Sequence, residues 1–233
     1  MAGRKAPQGA NKTIIALSAA VAAAAVGYAV FFNKDASIVG SGTQAVAAAT
    51  VDLGALMEKG PLDENIMGKE DAPVTVIEYS SMTCGHCADF HKNVLPALKE
   101  KYIDTGKVRY ILREFPLDDV ATGAAMLARC VGPVRYFSFV DVMYERQKDW
   151  AFAQQPLPEM LKLAKQAGMT EERFNQCLSD QKLLDGINWV QARGETKFRV
   201  RATPTLFVNG VELRGVKSIS QIDDVIQPLL KTN

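Results

Sequence analysis

Hydrophobic and polar positions first separate at an uncharged apolar run from Thr13 to Phe32, preceded by Arg4, Lys5 and Lys12 and followed by the balanced pair Lys34 and Asp35. At about 1.5 Å per residue this run matches the roughly 30 Å hydrocarbon core of a bilayer. It predicts a transmembrane signal-anchor over 13–32, with 1–12 a short cytoplasmic tail by the positive-inside bias. Phe31-Phe32-Asn33-Lys34 lacks the small residues of a cleavage site, and cleavage in the alanine-rich stretch after Ser37 stays as the alternative. Small and polar residues around Gly40-Ser41-Gly42-Thr43 make 33–60 read as a tether, with a candidate short helix over Val51–Lys59 stopped by Gly60-Pro61.

Beyond the tether the period changes. Asn65-Ile66-Met67 reads as a small edge strand, and the β-branched run from Val74 to Ile77 reads as a buried central strand. Phe90, Val94, Leu95, Leu98 and Tyr102 recur at helical spacing, with Pro96 expected to kink the helix and Gly106 to end it. Val108 to Leu112 forms the next strand, parallel to the first through a crossover. From Asp119 to Gly194 the pattern is helical throughout: Thr122–Val131, Tyr136–Gln147, Pro158–Gln166, Glu171–Leu178 after a Thr170 cap, and Gln181–Ala192 with Gly194 beyond its end. Asn209-Gly210 between two apolar runs predicts a hairpin of Thr205–Val208 and Val211–Arg214, and Ser220-Gln221-Ile222-Asp223 starts a last helix to Leu230. The fold class is therefore α/β. Residues 61–118 and 195–233 form one domain, and 119–194 is a helical subdomain inserted into it.

Composition narrows the function classes. The chain has 233 residues, 48% hydrophobic and 23% charged, with a formal net charge of +1. That balance suits a folded domain and gives no footprint of nucleic-acid binding. Four cysteines in two pairs, behind an N-terminal apolar segment, fit an oxidising compartment. Three pairings are possible. Cys84–Cys87 with Cys130–Cys177 is preferred, the alternative for the second pair being two buried free thiols.

The chemistry concentrates at Cys84-Gly85-His86-Cys87, which follows the first central strand and opens a helix. A helix N-terminus presents free N–H groups and the positive end of the dipole, which favour thiolate over thiol. Cys84 is thus expected to be the exposed attacking sulfur and Cys87, one turn in, the buried resolving one. His86 between them is placed to stabilise the Cys84 thiolate, whereas His91 is given no role. A zinc site on Cys84, Cys87 and His91 is the competing reading, weakened by the lack of a second ligand pair, and a purely structural disulfide is another.

These residues resemble the DsbA-like branch of the thioredoxin superfamily, the periplasmic thiol–disulfide oxidoreductases. The resemblance rests on Glu78-Tyr79-Ser80, Cys84-Gly85-His86-Cys87, Phe115-Pro116-Leu117, the helical insertion, and Thr203-Pro204 ahead of Thr-Leu-Phe-Val-Asn-Gly, and it covers roughly Leu62 to Leu230. It implies a thioredoxin-like fold with a cis Pro204 facing the dithiol, and a Thr203 backbone open to an extended substrate peptide. It also implies a buried Glu78 able to take the proton of Cys87, and a non-catalytic Cys130–Cys177 disulfide. Gly-His between the cysteines departs from the Pro-His of strong oxidases and is like protein disulfide isomerase; Thr203 departs from the valine common before the cis proline. The expected activity is insertion of disulfides into secreted or periplasmic proteins, needing no metal or organic cofactor, with re-oxidation by a quinone-linked membrane partner. A membrane-tethered isomerase or reductase and a peptide-binding chaperone module are the alternatives. The expected location is the bacterial inner membrane with the catalytic domain facing the periplasm, or the periplasm itself if the N-terminal segment is cleaved.

Overall fold

The structure, a computed structural model, describes residues 49–231. Its β-branched and aromatic runs become five strands: β1 (Asn65–Met67), β2 (Val74–Ser80), β3 (Val108–Glu114), β4 (Thr205–Val208) and β5 (Val211–Arg214). They form one sheet in the order β1-β3-β2-β4-β5, in which β2 and β3 are parallel and every other pair antiparallel. All seven residues of β2 are buried, as expected of a central strand covered on both faces. The two-residue period sorts them. Val74 and Val76 belong to the larger apolar core, and Ile77 and Tyr79 to a smaller one with Leu56, Phe198 and Phe207. Glu78, two residues on from Val76, therefore points to the larger core and away from solvent.

Between β2 and β3 run α2 (Gly85–Asn93), α3 (Leu95–Leu98) and a π-helical turn, Lys99–Ile103. The break falls at Val94 rather than as a kink at Pro96. Pro96 instead occupies the first turn of α3, where its missing N–H costs no helical bond. After β3 the insertion comprises α4 (Asp119–Cys130), α5 (Tyr136–Glu145), α6 (Gln147–Trp150), α7 (Pro156–Gln166), α8 (Glu171–Leu178) and α9 (Gln181–Lys197). Asp118, Thr170 and Asp180 cap α4, α8 and α9 by accepting from the backbone N–H three residues on. This is the expected thioredoxin-like α/β architecture with inserted helices around a mixed sheet.

Four further local expectations differ. Gly194 does not stop α9, which continues to Lys197, so the boundary expected at 194/195 lies inside a helix. A Cβ on Gly194 would meet Tyr79 Cε1 at 2.7 Å, so the glycine serves close helix–sheet packing. The final helix, α10 (Ile219–Lys231), starts one residue before Ser220, with Gln221 Oε1 accepting from the Lys217 and Ser218 N–H groups. Where the end of a tether was expected, residues 49–51 dock along β5: Val51 N–H donates to Gly210 O at 2.8 Å, Glu212 N–H donates to Ala49 O at 2.9 Å, and Thr50 bridges Val211. The helix expected over Val51–Lys59 shrinks to α1 (Leu53–Leu56), whose Leu56 is fully buried.

The membrane expectations require correction. The span expected over 13–32 lies outside the described residues, and among the described residues no helix is long and apolar enough to cross a membrane. The longest, α9, has 17 residues and carries Lys182, Asp185, Arg193, Glu195 and Lys197. The signal-anchor, the attachment to membrane through an N-terminal helix, and the inner-membrane placement built on them are therefore withdrawn.

Candidate active site

Strand β2 ends at Ser80, and a four-residue loop delivers Cys84 to the N-cap position of α2. That loop is tied down on every side. Ser81 Oγ accepts from Leu117 N–H, Thr83 Oγ1 donates to Asp118 Oδ2 at 2.7 Å, and Gln147 Nε2 donates to the carbonyls of Met82 at 2.8 Å and Cys84 at 3.0 Å. Gln147 is buried and belongs to the insertion, so the helical subdomain directly clamps the dithiol loop.

The two cysteines are free thiols in very different surroundings. Cys84 is half-buried, and its Sγ donates to Thr203 O at 3.3 Å. A hydrogen bond from Cys87, then the backbone N–H groups of Cys87 and His86 at the helix start, stabilise its thiolate against the opposing cost of burial and bring it from an ordinary 9.0 down to about 5. The Thr203 hydroxyl is buried without a hydrogen-bond partner, a donor left available to that thiolate. Cys87 is fully buried, and burial followed by the hydrogen bond to Cys84 and the charge of Glu78 pushes its thiol well above the ordinary range. His86 is exposed beside the pair; its backbone N–H supports Cys84. The Thr203-Pro204 peptide bond is cis and lies where Thr203 O meets Cys84.

Beneath Cys87, Glu78 is completely buried; Tyr110 donates its hydroxyl to Glu78 Oε2, while Oε1 has no hydrogen-bond partner. His91, which the sequence reading passed over, joins this group. Its Nε2 stands 3.3 Å from Glu78 Oε2 and its Nδ1 3.8 Å from Asp141 Oδ1, ion-pair separations that are not aligned as hydrogen bonds. Burial alone would push the imidazolium down, but the Glu78 carboxylate and then Asp141 outweigh it and hold His91 up, at about 9. The clue was its spacing. Position 91 is four beyond Cys87 and so shares its helix face. Gln147 carried no comparable signal.

Cys130 in α4 and Cys177 in α8 form a disulfide remote from this dithiol in sequence, closing a separation of 47. Among the described residues no three His, Cys, Asp or Glu side chains are disposed to hold a metal ion. The arrangement at Cys84–Cys87 has the parts needed for thiol–disulfide exchange: a stabilised thiolate in reach of solvent, a buried partner sulfur, and a backbone carbonyl beside them.

A family model described as thioredoxin matches residues 62–228. Alpha-DsbA1 of Wolbachia pipientis superposes with a TM-score of 0.72 at 33% identity, covering 78% of this chain and 97% of that one. The chain is a DsbA-like member of the thioredoxin family. A Rickettsia bellii protein that carries the provisional name protein-disulfide oxidoreductase is 36% identical over 177 residues, which are 71% of this DsbA-like chain and 66% of that protein. The matched region thus spans slightly less than two thirds of that curated relative. BdbD from Bacillus subtilis, at 22% identity and a TM-score of 0.67, shares the fold over 79% of this chain and 98% of its own.

Proposed function

We propose that this DsbA-like chain is a thiol–disulfide oxidoreductase that introduces disulfide bonds into cysteine-containing proteins by dithiol exchange through Cys84 and Cys87. The observation that carries the reading is the asymmetry of the pair: Cys84 is lowered to about 5 at the start of α2, while Cys87 is buried and raised. In the oxidised protein a substrate thiolate attacks Cys84 Sγ, a substrate–Cys84 bond forms, and the Cys84–Cys87 bond breaks with the electron pair leaving on Cys87. A second substrate thiolate then attacks its own half of the mixed disulfide, and Cys84 leaves as a stabilised thiolate. A stable leaving thiolate drives transfer toward the substrate. Turnover then needs an electron acceptor outside this chain.

Thr203 and Pro204 serve as the substrate-binding edge in this reading, with the Thr203 carbonyl next to Cys84 able to pair with an extended peptide. Glu78 serves as proton acceptor for Cys87, and His86 as an exposed neighbour of the attacking sulfur. The provisional oxidoreductase name of the Rickettsia relative agrees with this chemistry.

The test is the equilibrium reduction potential of Cys84–Cys87 against glutathione, with Cys130 and Cys177 followed separately by mass. A value between roughly −120 and −180 mV is expected for a disulfide donor, whereas one near about −270 mV would replace the oxidase by a reductase.

A further inference from the structure

Resting on the dithiol reading above, we infer that Arg199, Arg201 and Arg214 flank the peptide edge at Thr203 and select substrates that carry acidic side chains next to the reacting cysteine. Two of the three come from the stretch that leads into that edge. In Phe198-Arg199-Val200-Arg201 exposure alternates: the phenylalanine and the valine are buried in the smaller apolar core, and both arginines are exposed. The third comes from the facing strand. Arg214 stands opposite Thr205 in the β4–β5 register, is more than half exposed, and donates through Nη2 to Arg199 O at 3.4 Å.

The backbone here is open to a partner chain. Among the described residues the N–H groups of Arg201, Ala202 and Thr203 donate to no protein acceptor, and the Arg201 carbonyl accepts from no donor. Thr203 O lies 3.3 Å from Cys84 Sγ, so a peptide paired with these groups brings its cysteine to the dithiol. Two residues of extended chain span at most about 7 Å. The Arg201 side chain therefore reaches peptide positions close to that cysteine.

Neighbouring charges leave the arginines able to take a new partner. Arg201 pairs with Glu195 at 3.0 Å, but the two side chains are 59% and 55% exposed, and an ion pair so exposed contributes little, so a substrate carboxylate can take the place of Glu195. Arg214 pairs with the nearly buried Glu212, while Arg199, among the described residues, enters the network only through its carbonyl. Glu58 is engaged by Arg193 and Lys197. The edge thus carries three guanidinium groups against two carboxylates, one of them nearly buried, in a chain whose net charge is only +1. Backbone conformation singles out Arg199 as well. Its φ of 55° is uncommon outside glycine, asparagine and aspartate, and its exposed side chain gains no packing to offset the strain. A guanidinium meets a carboxylate through two parallel N–H donors, so an acidic side chain is the peptide group it fits best. In the oxidised protein, the form that a substrate attacks, Cys84 carries no thiolate to compete for these charges.

Three peptides of one length test the selection, each with two cysteines and differing only in Asp, Asn or Lys on both sides of the first. Their rates of oxidation by the oxidised protein are read by acid quench and mass. Dividing each rate by that of the same peptide with oxidised glutathione removes the effect of the neighbouring charge on the peptide thiol itself. We expect the corrected Asp-to-Lys ratio to lie well above one in the wild type, with the Asn peptide between. It should fall about threefold in Arg201→Gln, and about tenfold when Arg199→Asn is added. Asparagine is chosen at 199 because it tolerates positive φ. A wild-type ratio near one, a ratio that the arginine variants leave unmoved, or equal slowing of all three peptides overturns the inference. Should the double variant fail to fold, the exposed Arg201→Gln decides alone. A wild-type protein that oxidises none of the peptides would instead overturn the dithiol reading itself.

Discussion

Cys84 and His91 are shifted in opposite directions, so their contributions to stability run oppositely with pH. Cys84 is depressed from 9.0 to about 5, so the folded state binds fewer protons than the unfolded chain across that interval. Its contribution to the reduced protein is full above about 9 and is lost as pH falls through 5. The oxidised protein has no such thiol. His91 is raised from 6.5 to about 9, so its contribution is full below 6.5 and is lost as pH rises through 9. The stability of the reduced protein relative to the oxidised one should therefore rise steadily from pH 5 toward 9, while the loss of the His91 contribution weakens the folded state above 6.5. Denaturant unfolding of both forms across this range checks the prediction, and a difference independent of pH would refute it. The dithiol and its polarity were legible because a helix N-terminus acts through nearest neighbours in sequence. His91 was not, since its partners Glu78 and Asp141 come from two other elements.

The loop before α2 shows how one element disciplines another. Gln147, at the first position of α6, donates to both the Met82 and Cys84 carbonyls, and no local pattern announces a contact over 65 residues. Replacing it with alanine removes the Gln147 donor from the buried Met82 carbonyl and leaves the Cys84 carbonyl with the Ala88 N–H alone. Gln147→Ala should cost about 1–3 kcal/mol and raise amide hydrogen exchange in the segment 82–88, which native-state exchange by mass spectrometry would reveal. Unchanged protection there would mean that the Thr83–Asp118 and Leu117–Ser81 bonds hold the loop without Gln147. The strands and capped helices of the insertion were readable for the opposite reason, because periodicity and caps such as Thr170 are local. Gly194 misled because a glycine that ends a helix and one that admits the Tyr79 ring look alike in sequence. Pro96 misled likewise, since only the break at Val94 places it in a first turn.

Across the whole molecule, the insertion is held to itself by Cys130–Cys177, which joins α4 to α8 over a separation of 47 residues. Loop closure of that length restricts the unfolded chain by about 4 kcal/mol in the chain-entropy picture. The double substitution Cys130→Ala, Cys177→Ala should lower stability by up to that amount while leaving the Cys84–Cys87 potential close to its original value. Calorimetry and glutathione equilibration test the two halves, and a large potential shift would tie this bond to the active site. The architecture was legible from alternation of period, whereas the placement of 49–51 was not, because a single bridge and two backbone bonds leave no compositional trace. Those three residues carry a further consequence. By lying against β5 they occupy part of an outer strand whose open amides and carbonyls would otherwise template growth by neighbouring copies. The sheet thus carries its own guard against self-seeding, at the margin farthest in strand order from the β1 edge.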